Sequence, residues 1–319
     1  MGMSVLVQEV CKSVMAHAPA SVSEPFHQPV LVNEVLTYLA PRPGSVIVDA
    51  TCGTGGHSAA ILPRLVPGGR LIAIDRDGSA LAIARQRLTE WQGMVTFRRA
   101  NFRELPALLR ELHVPRIDGL LVDLGMSSLQ VDRAERGFSF LREGPLDMRM
   151  DAGQPVTAAS LVNDLPEAGL AHLVETLGED RFARRIARAI VAARRTHPFT
   201  TTTQLAGVIA RAVPRRDGQG RLHPATRTFQ ALRIAVNDEL GALEATLAAL
   251  PGLLAPGQGR AVILSFHSLE DRRVKQAFRA GEQDHIWTRL TKKVVRPGPE
   301  ETARNPRARS VRLRAVEKR

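Results

Sequence analysis

The sequence predicts an α/β protein whose mostly parallel sheet ends in an antiparallel edge and is interrupted by an inserted helical region. Three observations lead to this prediction. Short apolar runs alternate with helical stretches from residue 45, as in successive βαβ units. The alternation stops after residue 130, where roughly a hundred residues show helix patterns alone. A strand pattern returns at 260–268, so the sheet resumes after the helical region.

The first half of the sheet is expected to contain four strands. Each is a short run rich in valine, isoleucine or leucine that is bounded by turn-forming or charged residues. The runs are SVIVDA from residue 45, RLIAID from 70, VTFRRANF from 95 and the run from 117 that contains GLLVDLG. LAIARQRLTEW, residues 81–91, is expected to form a helix between the second and third strands. Because such crossovers join neighbouring strands, these strands should be parallel.

The helical region and the end of the chain complete the predicted fold. AGLAHLVETLG and RFARRIARAIVAARR have the apolar spacing of amphipathic helices. A long helix is expected from about 225 to 250, ended by Pro251 and Gly252. The basic segments TKKVVR and SVRLRAV are expected to form an antiparallel hairpin at a sheet edge. The chain is thus divided into an extension of unassigned role over 1–25, a sheet domain over 26–130 and 235–319, and an inserted helical domain over 131–234.

Composition narrows the class of protein. The net charge of +12 favours a polyanionic partner, because lysine and arginine bound to phosphates release condensed counterions. Arginine that has replaced lysine on solvated faces would give the same excess without such a partner. The chain has no run of 18 apolar residues and its start lacks the features of a signal peptide, so we expect a cytoplasmic protein outside the membrane. Cys11 and Cys52 lack CxxC spacing, so neither a disulfide framework nor a metal site is expected.

A glycine-rich loop follows the first predicted strand. VDATCGTGGHS, residues 48–58, places Gly53, Gly55 and Gly56 directly after a β-branched run. Glycine is favoured where the backbone takes a positive φ or comes close to a ligand. Ligands of open α/β sheets bind beyond the carboxyl ends of the strands, so this loop is the expected binding place.

Three classes of cofactor compete for the loop. A P-loop needs GxxxxGK and no lysine is near, and the dinucleotide pattern GxGxxG fails at its third glycine. The remaining class is S-adenosylmethionine, whose ribose hydroxyls need an acidic residue at the end of the next strand. Asp75, twenty residues after Gly55, fits that role by the geometry that places an acid on a dinucleotide ribose. An ordinary βα turn with a capping aspartate is the alternative.

The fourth predicted strand ends in DLGMSSLQ, residues 123–130. A polar group at this tip faces both cofactor and substrate, so Asp123 is a candidate to bind the cofactor, to hold a nucleophile, or to do both. The alternative is an N-cap for the segment that follows, and Ser127 and Ser128 are expected to be caps. Methylation of a pyrimidine carbon generally needs a cysteine nucleophile near this strand, and none is there. A nitrogen or oxygen acceptor is therefore favoured.

Several long motifs together resemble the MraW family of small-subunit ribosomal RNA methyltransferases from about His27 onward. They are GTGGHS, DLGMSSLQ, RGFSF, PLDMRMD, HPATRTFQALRIAVNDEL, SFHSLEDRRVK and NPRARSVRLR. The resemblance implies a Rossmann-like methyltransferase that transfers a methyl group from S-adenosylmethionine to the N4 amine of one cytidine in the decoding region of 16S (small-subunit) ribosomal RNA. It also implies cofactor contacts at Gly55, Gly56, His57, Asp75, Phe102, Asp123 and Gln130.

The strand tip at Asp123 departs from a broader pattern. Many amino-methylating enzymes of nucleic acids carry Asp, Asn or Ser followed by Pro-Pro and an aromatic residue there, whereas Asp123 is followed by Leu-Gly-Met. A ring that stacks on the base must then come from elsewhere. Phe138 and Phe140 are candidates, with the core of the helical region as the alternative for both. His267 is a candidate border of the pocket, or else satisfies only the local backbone.

The expected partner is small-subunit ribosomal RNA, within the small ribosomal subunit. The inserted helical domain is expected to recognise it, because arginines recur there at helix spacing; a solvated helix face is the equal alternative. These arginines are Arg181, Arg184, Arg185, Arg188, Arg194 and Arg195. Two other functions stay open. One is an amino methyltransferase of another nucleic acid, for which no sequence-reading module is visible, and the other is a non-catalytic RNA-binding assembly factor, which would not need the cofactor residues.

Overall fold

The structure of the protein is a computed structural model that describes residues 29–214 and 223–319. The predicted extension over 1–25, with Cys11, lies outside the described residues, as does His27. The strands are β1 (Val46–Asp49), β2 (Arg70–Asp75), β3 (Val95–Arg99), β4 (Gly119–Asp123), β5 (Arg260–Ser265), β6 (Trp287–Arg289) and β7 (Arg312–Lys318). Within the described residues they form one sheet in the order β3-β2-β1-β4-β5-β7-β6.

Helices cover both faces of the sheet and fill the region between β4 and β5. They are α1 (Val32–Leu39), α2 (Gly56–Ile61), α3 (Gly78–Arg87), α4 (Leu105–Glu111), α5 (Ser128–Asp132), α6 (Ala158–Asp164), α7 (Glu167–Gly178), α8 (Ala183–Arg194), α9 (Thr202–Ala212), α10 (Thr226–Asn237), α11 (Glu239–Leu253), α12 (Ser268–Gln283) and α13 (Pro299–Arg304). Across the two described ranges, none of the helices has the length and apolar character needed to cross a bilayer.

The sheet is parallel from β3 to β5 and antiparallel beyond it, which confirms the predicted α/β class. Asp49 at the end of β1 pairs with Ala73 on β2 and with Leu121 on β4. The carboxyl ends of these strands therefore meet at one edge. The chain continues from β1 to β2 on one side of the sheet and from β4 to β5 on the other side. A crevice therefore opens between β1 and β4, at the point where open α/β sheets bind ligands.

Alternate residues of each strand pack on opposite faces, as the period of two requires. Val48, Leu120 and Ile263 face a hydrophobic cluster shared with α4, α11 and α12. Leu121 and Val262 face the other cluster, which is shared with α1 and α2. The central parallel strands β1, β4 and β5 are thus buried on both sides, and their tips are held in fixed positions relative to one another.

A helical lobe lies between β4 and β5 and consists of α6 to α10 with the loop that begins at Phe138. It has a hydrophobic cluster of its own, which includes Leu170, Ile186 and Ile209. The predicted helices AGLAHLVETLG and RFARRIARAIVAARR are confirmed as α7 and α8. Arg76 at the end of β2 donates to the Asn237 carbonyl oxygen over 3.0 and 3.1 Å, which ties the lobe to the sheet.

Two helix predictions need correction. The helix predicted over 81–91 begins earlier, at Gly78, because the Asp77 side chain caps it by accepting from the Ser79 amide. It ends at Arg87 and is followed by a separate 3-10 turn. The helix predicted from 225 to 250 is two helices, since Asp238 adopts a left-handed conformation with φ 46°. Pro251 does not end the second helix but lies in its last turn, where its missing amide removes one hydrogen bond of the helix.

The C-terminal hairpin is confirmed only in part. SVRLRAV overlaps β7, but β7 lies between β5 and β6 and continues to Lys318, and the edge strand is Trp287–Arg289 rather than TKKVVR. Leu290 and Thr291 both direct their amides to the Ala315 carbonyl oxygen, at 3.0 and 3.4 Å, so the pairing loses its register there. TKKVVR keeps one isolated bridge, between Val295 and Leu313.

Candidate active site

A cavity of about 1050 Å³ opens at the carboxyl ends of β1, β2, β4 and β5. Its walls come from the glycine loop, from the segments after β2, β3, β4 and β5, and from α10 and α11. The fold places the cavity here because the loops after parallel strands converge beside the crevice between β1 and β4. The sheet and the helical lobe therefore both contribute side chains to one site.

The glycine loop turns sharply between β1 and α2. Gly53 and Gly55 have φ values of 54° and 82°, a conformation that side chains rarely adopt. Gly53 and Gly56 line the cavity, whereas Gly55 does not. A Cβ at Gly55 would lie 3.3 Å from Leu88, and one at Gly56 would lie 3.1 Å from Pro29. Gly55 thus maintains the turn, and Gly56 allows Pro29 to pack closely against the start of α2.

Buried polar groups support the loop from below. Ser58 donates from its Oγ to Asp49 Oδ2 over 2.7 Å, and both residues are buried. Burial raises the pKa of the Asp49 carboxyl, against the lowering effect of Ser58 and His57. Burial also raises the pKa of the Cys52 thiol well above its usual range. Cys52 is therefore a protonated structural thiol at neutral pH, in agreement with the absence of a cysteine from the expected chemistry.

Asp75 ends β2 with its carboxylate at the cavity wall. One carboxylate oxygen accepts from the Gly53 amide and the other from the Asp77 amide, each over 2.8 Å. Burial raises the pKa of Asp75 to about 6, although these two backbone hydrogen bonds lower it. Each oxygen keeps a free acceptor direction, since a carboxylate oxygen has two. Asp75 can therefore hold two neighbouring hydroxyl groups while it also ties the glycine loop to β2.

Phe102 and Gln130 also line the cavity but differ in what they can do there. Phe102 follows β3 and presents an aromatic ring that is partly buried against the main core. Gln130 is buried, and its amide donates one hydrogen to Asp77 over 3.0 Å and accepts from the Ser127 amide. Arg136 holds the same Asp77 carboxylate over 2.7 Å. Gln130 therefore belongs to a network that fixes the wall of the cavity.

Asp123 ends β4 beside His57. His57 Nε2 lies 3.5 Å from Asp123 Oδ2, and the Asp123 amide donates to Thr51 Oγ1 over 2.6 Å. Asp123 Oδ1 is buried without a hydrogen-bond partner, and so are both ring nitrogens of His57. More than about nine in ten buried polar groups have a partner. These orphaned atoms point to a ligand that completes them. Asp123 does not cap α5, since that role falls to Ser127.

The tip of β5 adds side chains to the cavity, and His267 is among them. His267 caps α12 by accepting from the Glu270 amide, and because it also lines the cavity its role is not limited to the local backbone. Burial would raise the pKa of Glu270, but His267 and Arg233 hold it below its usual range. Arg233 and Glu239 form a buried bidentate pair at 2.8 Å.

Four of the lining residues at this end were missed from the sequence. They are Phe266, Glu270, Arg233 and Glu239. Their positions could have indicated them. Phe266 and Glu270 follow the end of a strand, whereas Arg233 and Glu239 lie on either side of the turn after α10, within the motif HPATRTFQALRIAVNDEL.

The aromatic and arginine candidates of the helical lobe lie elsewhere. Phe138 is buried in the lobe cluster, and Phe140 packs edge-on against Phe229 at 4.9 Å; neither lines the cavity. Arg194 donates to the Val162 carbonyl oxygen over 2.6 Å, which gives it a structural role. The remaining arginines of that row are exposed, and Arg188 lies 3.7 Å from Glu167. The exposed ones are Arg181, Arg184, Arg185, Arg188 and Arg195.

These residues fit S-adenosylmethionine. The open glycine loop beside His57 would accept its amino-acid end, the Asp75 carboxylate would bind its ribose hydroxyls, and the ring of Phe102 would lie along its adenine. The orphaned Asp123 oxygen would face the same ligand or the substrate. The sheet order and this set of side chains define an S-adenosylmethionine-dependent methyltransferase.

Comparison with known proteins specifies the class further. The model of the MraW methylase family matches residues 24–319, so the chain belongs to that family. It is 51% identical over 308 residues to "Ribosomal RNA small subunit methyltransferase H" of Anaeromyxobacter sp. (strain K), covering 92% of this chain and 97% of the relative. The protein of the same name from Geobacter sulfurreducens is 51% identical over 307 residues, covering 92% and 98%.

Solved structures resemble the chain only distantly. A putative rRNA-methylase from Clostridium thermocellum has a TM-score of 0.44 at 11% identity, with 90% of this chain and 95% of that chain covered. Similarity at this level supports no statement about the site.

Proposed function

We propose that the protein methylates the N4 amine of one cytidine in the decoding region of small-subunit ribosomal RNA. The observation that carries this proposal is the buried, unpartnered Asp123 oxygen at the tip of β4, in a cavity suited to the methyl donor. The relatives named above and the family motifs support ribosomal RNA as the substrate. The absence of a cysteine at the tip of β4 supports nitrogen over ring carbon as the acceptor.

The cofactor supplies a methyl group on a sulfonium centre when it is bound. The contacts assigned to it are those of the glycine loop (Gly55 and Gly56, the first through the backbone turn alone), His57, Asp75, Phe102, Asp123 and Gln130. Of these, Gln130 also fixes Asp77 and the wall of the cavity, through one amide hydrogen and one oxygen lone pair, and keeps a second hydrogen for a ligand.

Positioning is the main catalytic contribution of the chain. Cytosine N4 is a poor nucleophile because its lone pair is delocalised into the ring. An acceptor that holds an N4 hydrogen favours a more pyramidal amine and aligns it for reaction. Asp123 supplies this acceptor, and the hydrogen bond from its amide to Thr51 Oγ1 fixes the backbone at the strand tip. A strong base is not required, since the proton can leave after the transfer.

The RNA must reach this cavity with its target base unstacked. Unstacking costs a few kcal/mol and costs least in a loop or a distorted region. The helical lobe, within the proposed RNA-recognition domain over 131–234, carries exposed arginines on α8 that can hold the flanking phosphates. We place the reaction in the cytoplasm and on RNA within the small ribosomal subunit.

The test uses small ribosomal subunits that lack the modification. The protein is incubated with them and with S-adenosylmethionine labelled in its methyl group, and the RNA is then digested to nucleosides. The label should appear in N4-methylcytidine. Label in another nucleoside would refute the proposed acceptor. RNA binding without any labelled product would favour a non-catalytic assembly factor instead.

A further inference from the structure

The cavity extends further along the sheet than the cofactor contacts do. Asp75 and Phe102 follow β2 and β3, whereas Phe266 and His267 follow β5. Because neighbouring strands lie about 4.8 Å apart, the tips of β2 and β5 are separated by roughly 14 Å. The β5 end of the cavity is therefore beside Asp123 and distant from the group that binds ribose.

A phenylalanine that follows β5 lies beside the tip of β4, which has no aromatic side chain of its own. Asp123 pairs with Leu264, so Phe266 lies beside Gly125 at the equivalent point of the neighbouring strand. Gly125 has a φ of 100°, and a Cβ built on it would lie 3.3 Å from the ring of Phe266. The ring thus packs against a bare backbone at the tip of β4. It is only partly buried, and it lines the cavity.

The neighbouring polar atoms have a defined hydrogen-bonding character. His267 Nδ1 accepts from the Glu270 amide, so its hydrogen lies on Nε2. Nε2 is buried and makes no hydrogen bond, although Glu270 Oε1 lies 3.1 Å away out of alignment. Asp123 Oδ1 is the second orphaned atom of this end and is an acceptor. The cavity therefore offers one acceptor and one donor at adjacent strand tips.

The same end could in principle hold a cation. Glu239, His267 and Glu270 have ligand atoms within 4.8 Å of one another. However, Arg233 occupies both oxygens of Glu239, so its guanidinium already supplies the positive charge that a metal ion would bring. The arrangement favours a neutral polar ligand.

We infer that Phe266 is the surface on which the target cytosine stacks, and that His267 Nε2 donates to ring N3 or O2 while Asp123 accepts from N4; this inference rests on the proposed function. Cytosine presents an amine donor beside an acceptor nitrogen. Uracil presents the reverse order at these two atoms, so its O4 would face the Asp123 carboxylate. The pair Asp123 and His267 selects cytosine, and Phe266 replaces the aromatic residue missing after Asp123.

The first experiment measures single-turnover methylation of unmodified small subunits. Stacking of a base on an aromatic ring is worth roughly 5- to 150-fold, so Phe266→Leu should lower the rate about 10-fold or more, and Phe266→Tyr should restore most of it. His267→Asn keeps a capping group and should lower the rate about 3- to 10-fold. Affinity for S-adenosylmethionine should stay unchanged in all three. Phe97→Leu is the matched control, because Phe97 lies on β3 outside the cavity.

The second experiment separates base stacking from general structural damage. A decoding-region RNA carries pyrrolocytidine at the target position, and the protein is loaded with S-adenosylhomocysteine so that no transfer occurs. The parent and Phe266→Tyr should quench the emission, and Phe266→Leu should not. A parent-like rate and parent-like quenching in Phe266→Leu would overturn the inference. A parent that methylates no cytidine would instead overturn the proposed function, and this inference with it.

Discussion

Asp75 gives the sharpest test of the cofactor site, because its carboxylate is both buried and shared. Its two oxygens already accept from the amides of Gly53 and Asp77. The ribose hydroxyls must use the remaining acceptor directions. Asp75→Asn keeps the shape but replaces one oxygen by an NH₂ group, which then faces either a backbone amide or a hydroxyl donor. One hydrogen bond is lost, and the charge that strengthened the other is removed.

The expected loss can be estimated from these contacts. A hydrogen bond to a charged group contributes about 1.5–3 kcal/mol, so Asp75→Asn and Asp75→Ala should weaken S-adenosylmethionine binding by about 1–3 kcal/mol. The pKa of Asp75 near 6 adds a pH dependence. Above that pH the carboxylate is ionised and binds fully. Below that pH the Asp75 carboxyl is protonated, and it must lose the proton before both ribose hydroxyls can donate to it. The parent's affinity for the cofactor should therefore fall as the pH is lowered through 6, by up to about tenfold per pH unit.

Calorimetry between pH 5 and pH 8 measures both effects. The parent should bind one cofactor per chain, with affinity that is constant above about pH 7 and declines below pH 6. Asp75→Asn should bind more weakly and show a flatter pH profile, since the titrating group is gone. Parallel profiles for the two proteins would assign the titration to a group other than Asp75. Equal affinity at pH 8 would remove Asp75 from the ribose-binding role.

Three other predictions follow from the same structure. At saturating cofactor, Asp123→Ala should lower the single-turnover rate about 100-fold, near 3 kcal/mol, with Asp123→Asn in between; full rescue by more cofactor would leave Asp123 as a cofactor ligand only. Replacement of exposed α8 arginines by glutamine should flatten the salt dependence of RNA binding by up to about one log–log unit per lost phosphate contact, whereas a solvated face predicts equal slopes. The arginines to replace are Arg184, Arg188 and Arg195. Glu239→Gln removes the bidentate carboxylate partner of the buried Arg233, leaving only the more distant charge of Glu270, and should cost about 3–5 kcal/mol in urea unfolding. Its control is Glu244→Gln, which breaks a more exposed pair with Arg273 and should cost under about 1 kcal/mol; equal losses would refute the distinction.

The sheet could be predicted from the sequence because buried parallel strands need continuous apolar runs. SVIVDA, RLIAID and GLLVDLG are apolar runs of this kind. Asp75 and Asp123 were identified because each is the polar residue that ends such a run. The break at Asp238 could not be predicted, because it depends on Asn237, whose side chain bonds to the backbone of Met148 and Met150. A contact between residues some 90 positions apart produces no periodic pattern of apolar residues in the sequence.

The candidate site was predicted unevenly for the same reason. Gly55 was identified correctly as a turn glycine, but only the structure shows that it faces Leu88 instead of the cavity. Gln130 was expected to contact the cofactor, and only the structure shows that its amide also bonds to Asp77 and Ser127. Phe266 was overlooked, since its position beside Gly125 joins the ends of two strands that are far apart in the sequence. Local patterns predict which residue ends a strand but not which residues of two strands meet.

The insertion of the helical lobe between β4 and β5 has a consequence for synthesis of the chain. β4 pairs with β5 through Gly119 and Arg260, which are separated by roughly 140 residues, so at about 5–20 residues per second the ribosome needs on the order of 10–30 s to supply the partner strand. During that interval one edge of β4 is unpaired while its leucines and valine await burial. The lobe has its own core and can fold in the meantime. The nascent sheet therefore has an unpaired edge strand for many seconds. Slowing elongation within the lobe should prolong this state and increase aggregation of the newly made protein.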